Sequence, residues 1–188
     1  MRNAAGIRKS EYPILPLFLE RWSSRIMSGE TISHAELMTL FEAARWAPSS
    51  FNEQPWRFIY AVRDTPGWKI LFDLLVPANQ KWAHTAAVLM VIISSKQFAR
   101  DNSHNPVHQF DAGSAWMSLA LQAQSMNLVA HGMAGFNFER ARTELKIAES
   151  FTICAMVAVG KPGSSALQAK EEITLRKPIS EIATEITL

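Results

Sequence analysis

Hydrophobic and polar positions along the chain repeat with two different periods, which separate helices from strands. The clearest helix start is at residues 33–36, where Ser33 and Glu36 fit a capping box. Apolar residues then recur at helical spacing as far as residue 44, and Pro48 ends the helix because proline disfavours helical geometry in the residue before it. Further helices are predicted over residues 67–75, 111–126 and 139–148, with a short helix or helix end over 14–25.

Three segments are dense in aromatic and β-branched residues and predict strands, over residues 56–62, 86–95 and 151–160. The middle segment is apolar on both faces, which is typical of a central strand covered on each side. The helix over 111–126 has no polar face either, so it must be buried in the core or against a partner subunit. Helices with strands at irregular intervals predict an α+β sandwich, a single domain over 1–188.

Composition places the chain among globular proteins, with 48% hydrophobic and 19% charged residues. Nineteen Lys and Arg against 17 Asp and Glu leave a formal charge of only +2, too small to attract nucleic acid. The longest apolar run, residues 86–93, is far shorter than the ~20 residues that span a bilayer. We therefore expect a cytoplasmic protein with neither nucleic-acid nor membrane partners, and a poorly ordered terminus over the polar residues 1–10.

Common catalytic and metal motifs are missing. The sequence has no Gly-x-Gly-x-x-Gly or Walker loop, no Gly-x-Ser-x-Gly elbow and no His-Glu-x-x-His pair. The single cysteine, Cys154, excludes an intramolecular disulfide and a Cys-based zinc site, and its apolar neighbours predict a buried hydrophobe. His104 and His108 could be metal ligands on a helix, but Asn105 and Pro106 between them disfavour one, so we expect no metal site and no catalytic side chain.

A first candidate binding segment is Arg21-Trp22-Ser23-Ser24-Arg25. In a helical turn its two guanidinium groups share a face; in an extended chain Arg21, Ser23 and Arg25 share a side. Either geometry suits a phosphate, since arginine matches its oxygens with a fork of donors and serine adds a neutral donor. The alternative is a solvated cationic turn.

Two further segments could contact a ligand. Between the predicted helix and the first strand lies a polar loop with Ser49, Ser50, Asn52 and Gln54, whose hydroxyl and amide groups suit the edge of a heteroaromatic ring. After the buried helix, residues 130–136 are mostly small and let backbone N–H groups approach a ligand closely. The alternatives are an ordinary helix-to-strand loop and a tight turn.

The order and spacing of these segments resemble the nitroreductase family of FMN-dependent reductases. The family signature Ala-Ala-Arg-x-Ala-Pro-Ser-Ser-x-Asn-x-Gln-Pro-Trp matches residues 43–56 almost letter for letter. Weaker matches are the Arg-x-Ser-x-Arg element at 21–25, the buried helix from Asp111, the glycine-rich loop 132–135, Gly-Lys-Pro at 160–162 and Arg-Lys-Pro at 176–178. The likeness covers most of the chain and implies a small mixed sheet covered by helices in an intertwined dimer.

The resemblance also implies which residues hold FMN. One group would bind the phosphate and ribityl chain, namely Arg21, Ser23 and Arg25, with Arg176 and Lys177 closing on the phosphate. A second group would line or support the flavin that the partner subunit mainly binds, namely Pro48, Ser49, Ser50, Asn52 and Gln54. A third group would face the isoalloxazine ring, namely Met133, Ala134 and Gly135 at the N5 edge and Asn79 at the pyrimidine ring.

The implied activity is a ping-pong reaction in which NAD(P)H gives a hydride to flavin N5 and an acceptor then takes the electrons. Nitroaromatics and quinones are the acceptors that the resemblance suggests. The flavin carries the chemistry, and the protein supplies position and electrostatics. The alternatives are a flavin-modifying enzyme or flavin carrier without nicotinamide turnover, and a protein of the same shape that has lost the cofactor.

Overall fold

The computed structural model describes residues 4–187. Its helices are α1 Pro16–Glu20, α2 His34–Arg45, α3 Pro66–Leu74, α4 Pro77–Ala83, α5 His108–Ser125, α6 Phe138–Glu144 and α7 Ser165–Gln168. Its strands are β1 Trp56–Val62, β2 Val88–Ser95, β3 Val129–Met133 and β4 Phe151–Gly160. Short 3-10 turns lie at Ser50–Asn52 and Ile179–Glu181.

The four strands form one sheet in the order β1-β2-β4-β3. Every neighbouring pair is antiparallel; Val62 at the end of β1 pairs with Val88 at the start of β2. The predicted α+β class is therefore confirmed, with the difference that this sheet is antiparallel where a mixed one was expected. Strands β2 and β3 lie on either side of β4 and run in the same direction, and the chain crosses between them through α5. The predicted central strand is confirmed, because β2 pairs on both edges and is buried from Val88 to Ile93.

Helices cover both faces of the sheet. Alternate residues of β2 point to opposite sides, as the period of a strand requires: Val88 and Met90 pack with α2 and α5, whereas Leu89 and Val91 pack with α3 and α6. Large apolar side chains on both faces are excluded from water, which gives the fold most of its stabilisation. The sandwich arrangement predicted from the sequence is thus confirmed.

Local signals account for the helix boundaries. The Ser33 hydroxyl accepts from the Glu36 N–H at 3.1 Å, and the Glu36 carboxylate accepts from the Ser33 N–H at 2.7 Å, which completes the predicted capping box. Helix α2 ends at Arg45, before Pro48, as predicted. Pro66 and Pro77 start α3 and α4 in positions where the missing N–H costs no helical hydrogen bond.

Several predicted boundaries differ from the structure. The helix expected over 14–25 is confined to α1, and residues 21–25 are extended. The helix expected over 139–148 stops at Glu144, and Lys146 then takes a left-handed φ of 52°. Of the terminus expected to be poorly ordered, residues 1–3 lie outside the described part. Within the remainder, Ala4 is fully buried and Arg8 donates to three backbone carbonyls.

Three further sequence features concern the single cysteine, membrane spans and metal ligands. Cys154 is half-buried against the core, and burial raises the pKa of its thiol. No helix within residues 4–187 is long and apolar enough to cross a membrane. Across those same residues, no three His, Cys, Asp or Glu side chains cluster closely enough to hold a metal ion.

Candidate functional site

The segment 21–25 follows α1 as an extended chain. Arg21 takes an extended conformation (φ −64°, ψ 121°), and the burial of side chains then alternates. Trp22 and Ser24 point inward and are buried, whereas Ser23 and Arg25 are exposed. Arg21, Ser23 and Arg25 consequently share one side, so the extended geometry considered from the sequence is the one that forms.

This cationic side faces a cavity of about 660 Å³. Its walls combine the N-terminal part of the chain with β3, α4 and the segment after α7. The residues that line it are Arg8, Arg21, Trp22, Ser23, Arg25, Ile26, Trp82, His131, Lys170, Glu171, Glu172, Thr174 and Arg176. A volume of this size is in the range of small-molecule sites.

Five cationic side chains line this cavity against two carboxylates, those of Glu171 and Glu172. Burial, together with the nearby cations Arg8 and Arg176, lowers the pKa of Arg21 below its usual range. Burial and Arg176 likewise lower the pKa of Arg8. Among the described residues, no carboxylate forms a salt bridge with Arg21, Arg25 or Arg176. An anion in the cavity would therefore relieve a repulsion that the protein carries by itself.

Glu171 fixes the backbone of the cationic segment. Its carboxylate accepts from the Arg25 N–H at 2.7 Å and from the Ser24 hydroxyl at 2.5 Å. Ser24 is fully buried, and its hydroxyl also accepts from the Ile26 N–H at 3.0 Å. The hydrogen bond between Arg25 and Glu171 joins residues 146 positions apart. The segment after α7 therefore holds residues 21–25 in their extended form.

A row of contacts runs from the cationic segment to the loop after β3. His131 Nδ1 lies 3.1 Å from the Ser24 carbonyl oxygen, and the His131 ring packs on Trp82 with centroids 4.6 Å apart. Trp82 Nε1 donates to Asn79 Oδ1 at 3.3 Å, and Asn79 Nδ2 donates to the Gly135 carbonyl at 3.0 Å. A Cβ at Gly135 would lie 2.6 Å from Asn79 Nδ2, so only glycine permits this close approach.

The loop between α2 and β1 is shaped by unusual backbone geometry. Phe51, Asn52 and Gln54 all have φ between 52° and 56°, a left-handed region that costs energy for residues with a side chain. Two contacts hold the turn: the Ser49 hydroxyl accepts from the Gln54 N–H at 3.0 Å, and the Asp111 carboxylate accepts from the Ser50 N–H at 3.2 Å. Strain of this kind persists only where the surroundings fix it, which is frequent at binding sites.

The structure brings together part of the predicted set. Arg21, Ser23, Arg25 and Arg176 line one cavity, and Asn79 joins it through Trp82 to Gly135. Ala134 and Gly135 follow Met133, which ends β3 with its side chain buried in the core. Lys177 does not line this cavity: it lines a neighbouring one of about 550 Å³, which Arg21 and Arg176 also line, and it pairs with Glu181 at 3.2 Å. The polar loop with Pro48, Ser49, Ser50, Asn52 and Gln54 does not line the cavity of its own chain.

Sequence reasoning missed Trp82 and Glu171. Trp82 lies on α4, a helix that was not predicted although Pro77 at its first position is a recognised start signal. Glu171 lies in a tail of mixed composition, where no local pattern marks it. His131 was placed close to the glycine-rich loop, but its contact with the Ser24 carbonyl depends on a fold that brings residues 107 positions apart together.

The residues at the cavity fit FMN. The oxygens of its phosphate accept hydrogen bonds. Arg21, Arg25 and Arg176 can only donate them, and the Ser23 hydroxyl can donate one as well. Trp22 also lines the cavity, and its Nε1 is buried without a hydrogen-bond partner among the described residues, a donor that an acceptor-rich ligand would satisfy. The Asn79–Gly135 contact gives the loop after β3 a fixed backbone to set against a flat ring.

Comparison with known proteins agrees with this geometry. The model of the nitroreductase family matches residues 19–67 and 68–161, and the chain belongs to that family. A solved structure described as an oxidoreductase containing FMN is 39% identical, covers 98% of this chain and 97% of its own, and superposes with a TM-score of 0.90.

More distant relatives extend the likeness. A provisionally named nitroreductase from Desulfovibrio desulfuricans, solved in complex with FMN, is 27% identical over 95% of this chain and 99% of its own, with a TM-score of 0.72. A protein of Streptomyces coelicolor with the provisional name NADH dehydrogenase/NAD(P)H nitroreductase is 24% identical over 80% of this chain and 85% of its own. This chain therefore shares its family and its fold with structures that contain FMN.

Proposed function

We propose that this protein oxidises NAD(P)H and reduces nitroaromatic, quinone or similar acceptors through FMN in a ping-pong reaction. The observation that carries the proposal is the cavity that Arg21, Arg25 and Arg176 line, with no salt bridge to any of them among residues 4–187, and that a row of side chains connects to Gly135. The relatives named as NAD(P)H nitroreductases support nicotinamide as the donor. When FMN is bound, it supplies hydride transfer at N5.

The protein's own residues would bind and orient the cofactor. The three arginines and Ser23 would hold the phosphate through charge-assisted hydrogen bonds. Glu171 keeps the Arg25 backbone in place, so that these donors converge without rearranging when the phosphate binds. Backbone groups at Met133, Ala134 and Gly135 would face the flavin ring, and Asn79 retains one amide hydrogen for the pyrimidine edge.

We further propose that two copies form the site. Helix α5 presents Phe110, 78% exposed, and Met117, 38% exposed, on one face of the single chain. The tail adds Ile182 and Ile186, which are 70% and 85% exposed. Apolar surface of this extent is typical of an interface. In such a dimer the loop of Pro48, Ser49 and Ser50, with Asn52 and Gln54 behind it, would line the flavin held by the partner.

Absorption spectra of the purified protein test the function. Spectra are recorded as isolated, after reconstitution with FMN, and after NADH or NADPH is added without oxygen. Flavin bands that bleach with either nucleotide are the expected result. Bands that persist would favour the second candidate, a flavin protein without nicotinamide turnover, and no bands after reconstitution would overturn FMN binding. The cytoplasmic location expected from composition stays a prediction.

Sedimentation velocity tests the dimer. The wild-type protein is expected to sediment as a dimer. Phe110→Glu is expected to sediment as a monomer, because dimerisation would bury its carboxylate against apolar surface without an opposite charge. Tyr60→Glu is a matched control, an aromatic that is 42% exposed on strand β1 at the edge of the sheet. A wild-type monomer at micromolar concentration would overturn the shared site.

A further inference from the structure

The row of contacts from Ser24 to Gly135 passes through His131 and Trp82, which belong to none of the sequence motifs. At one end His131 Nδ1 lies 3.1 Å from the Ser24 carbonyl, between the two phosphate-binding candidates Ser23 and Arg25. At the other end the Asn79 amide donates to the Gly135 carbonyl at 3.0 Å. His131 and Trp82 lie between these ends, and both line the cavity.

The position of these two rings determines what they would meet. In FMN the phosphate and the isoalloxazine ring are joined by the ribityl chain, which carries hydroxyl groups along its length. If the phosphate lies at the arginines and the ring lies at Gly135, the ribityl chain must pass the rings of His131 and Trp82. This step rests on the proposed function.

The tautomer of His131 fixes the chemistry that its ring offers. A carbonyl oxygen only accepts hydrogen bonds, so the Nδ1 atom that faces Ser24 carries a proton and donates. A neutral ring with its proton on Nδ1 presents Nε2 as an acceptor. Burial and the nearby Arg25 guanidinium lower the pKa of His131, although its hydrogen bonds to the backbone of Ser24 and Ser23 and the charge of Glu171 oppose the shift, and the net lowering favours this neutral form.

An acceptor at this place complements its surroundings. Arginine has donors and no acceptor, so Arg21, Arg25 and Arg176 cannot receive the proton of a hydroxyl group. The Trp82 ring packs against the imidazole at 4.6 Å and is itself held by its hydrogen bond to Asn79, so the orientation of His131 is fixed from both sides. We propose that His131 accepts a hydrogen bond from a ribityl hydroxyl through Nε2 and that Trp82 positions its ring.

Binding of three flavins tests this assignment without measuring turnover. FMN, riboflavin and lumiflavin share the isoalloxazine ring; riboflavin lacks the phosphate, and lumiflavin lacks both the phosphate and the ribityl chain. Dissociation constants are measured by fluorescence titration for the wild type and for His131→Asn. Asparagine can still donate to the Ser24 carbonyl from near the Nδ1 position, but it places no acceptor where Nε2 was.

The expected pattern is specific for the ribityl chain. His131→Asn should weaken FMN and riboflavin by the same factor, about tenfold for one lost hydrogen bond, and leave lumiflavin unchanged. His131→Gln, whose amide oxygen can reach the Nε2 position, should restore most of the loss. Arg21→Ala is the matched control and should weaken FMN alone, because only FMN carries the phosphate.

Other patterns overturn the assignment. Equal weakening of all three flavins by His131→Asn would mean that the substitution disturbs the fold of the site, and no weakening of any of them would mean that Nε2 has no partner on the ligand. Wild-type protein that binds none of the three flavins would instead overturn the proposed function, and this inference with it.

Discussion

The Asp111 carboxylate accepts a hydrogen bond from the backbone N–H of Ser50 at 3.2 Å. Asp111 is 3% exposed and lies in the first turn of α5, where the partial positive charge of the helix start favours a carboxylate. The contact joins the buried helix to a loop in which Phe51 and Asn52 have left-handed backbone conformations. It therefore stabilises the loop geometry as well as the packing of α5.

Replacing Asp111 should loosen this loop. Asp111→Ala leaves the Ser50 N–H without its charged acceptor, which should lower the free energy of unfolding by about 1–3 kcal/mol in urea titrations. Asp111→Asn has the same shape and keeps an acceptor oxygen, so it should lose less than half as much. Equal losses for the two variants would show that the charge of Asp111, rather than its hydrogen bond to Ser50, stabilises the loop.

The parts of the fold that depend on neighbouring residues could be predicted from the sequence. The capping box at Ser33 and the strand at Trp56–Val62 are read from residues within a few positions of one another, and both are found as expected. Strand β3 was missed because its residues, small and including Gly132, resemble a turn. They form a strand by pairing with residues of β4 that lie 23 to 31 positions further along, and no local pattern reports that pairing.

In the candidate site, too, residues in local motifs were predicted and those placed by long-range contacts were not. Arg21, Ser23 and Arg25 were identified because their spacing is local, and the structure places them on one cavity. Lys177 shared the sequence signal of Arg176, yet its side chain pairs with Glu181 beside a different cavity. Arg176 lines both cavities, whereas Lys177 lines only the second, so the shared signal did not distinguish them.

Anion binding should distinguish Arg21 from Lys177. Inorganic phosphate is expected to raise the melting temperature of the wild-type protein, because it binds the folded cluster of arginines and not the unfolded chain. Arg21→Ala should reduce this rise and weaken FMN by at least ~1 kcal/mol, the lower range for hydrogen bonds to charged groups. Differential scanning fluorimetry with a phosphate series, and FMN titration, provide the two measurements.

Lys177→Ala is the matched control for Arg21→Ala. It removes the same charge from the protein, but from a side chain 73% exposed and paired with Glu181 outside the cavity. We expect its phosphate-dependent rise in melting temperature to equal that of the wild type. A loss as large as that of Arg21→Ala would show that net charge, and not the geometry of the cavity, governs anion binding.

Close packing makes Gly135 and Asn79 interdependent. In Gly135→Ala the new Cβ would lie 2.6 Å from Asn79 Nδ2 and 3.0 Å from Val76 Cγ2, so the variant should be destabilised by about 1–3 kcal/mol. Asn79→Ala removes the nearest of these atoms, and the additional cost of Gly135→Ala in that background should fall by about half. Urea unfolding of both single variants and the double variant measures this coupling; strictly additive costs would contradict it.

One buried and one half-buried histidine should make the stability of the protein depend on pH. His108 is 7% exposed, and its Nδ1 lies 2.7 Å from the Ser94 hydroxyl. Burial, with the neighbouring side chains of His104 and Lys96, lowers the pKa of His108, and burial lowers that of His131 as well. In the unfolded chain both would titrate near ~6.5.

The direction of the effect follows from these lowered pKa values. As the pH falls below about 6.5, the unfolded chain takes up protons that the folded protein does not, so the free energy of unfolding should decrease. Above that pH both states are neutral at these rings and the contribution is constant. The decrease should continue until the pH passes below the folded-state pKa values, where both states are protonated.

Urea unfolding between pH 7.5 and about 5.5 measures this dependence, above the range in which carboxylates titrate. His108→Asn removes one of the two titrating rings and should make the slope against pH shallower, and His108→Asn with His131→Asn should nearly abolish it. His34→Asn is the control, since His34 is exposed at the start of α2 and should leave the slope unchanged. A slope that survives the double substitution would assign the pH dependence to groups other than these two histidines.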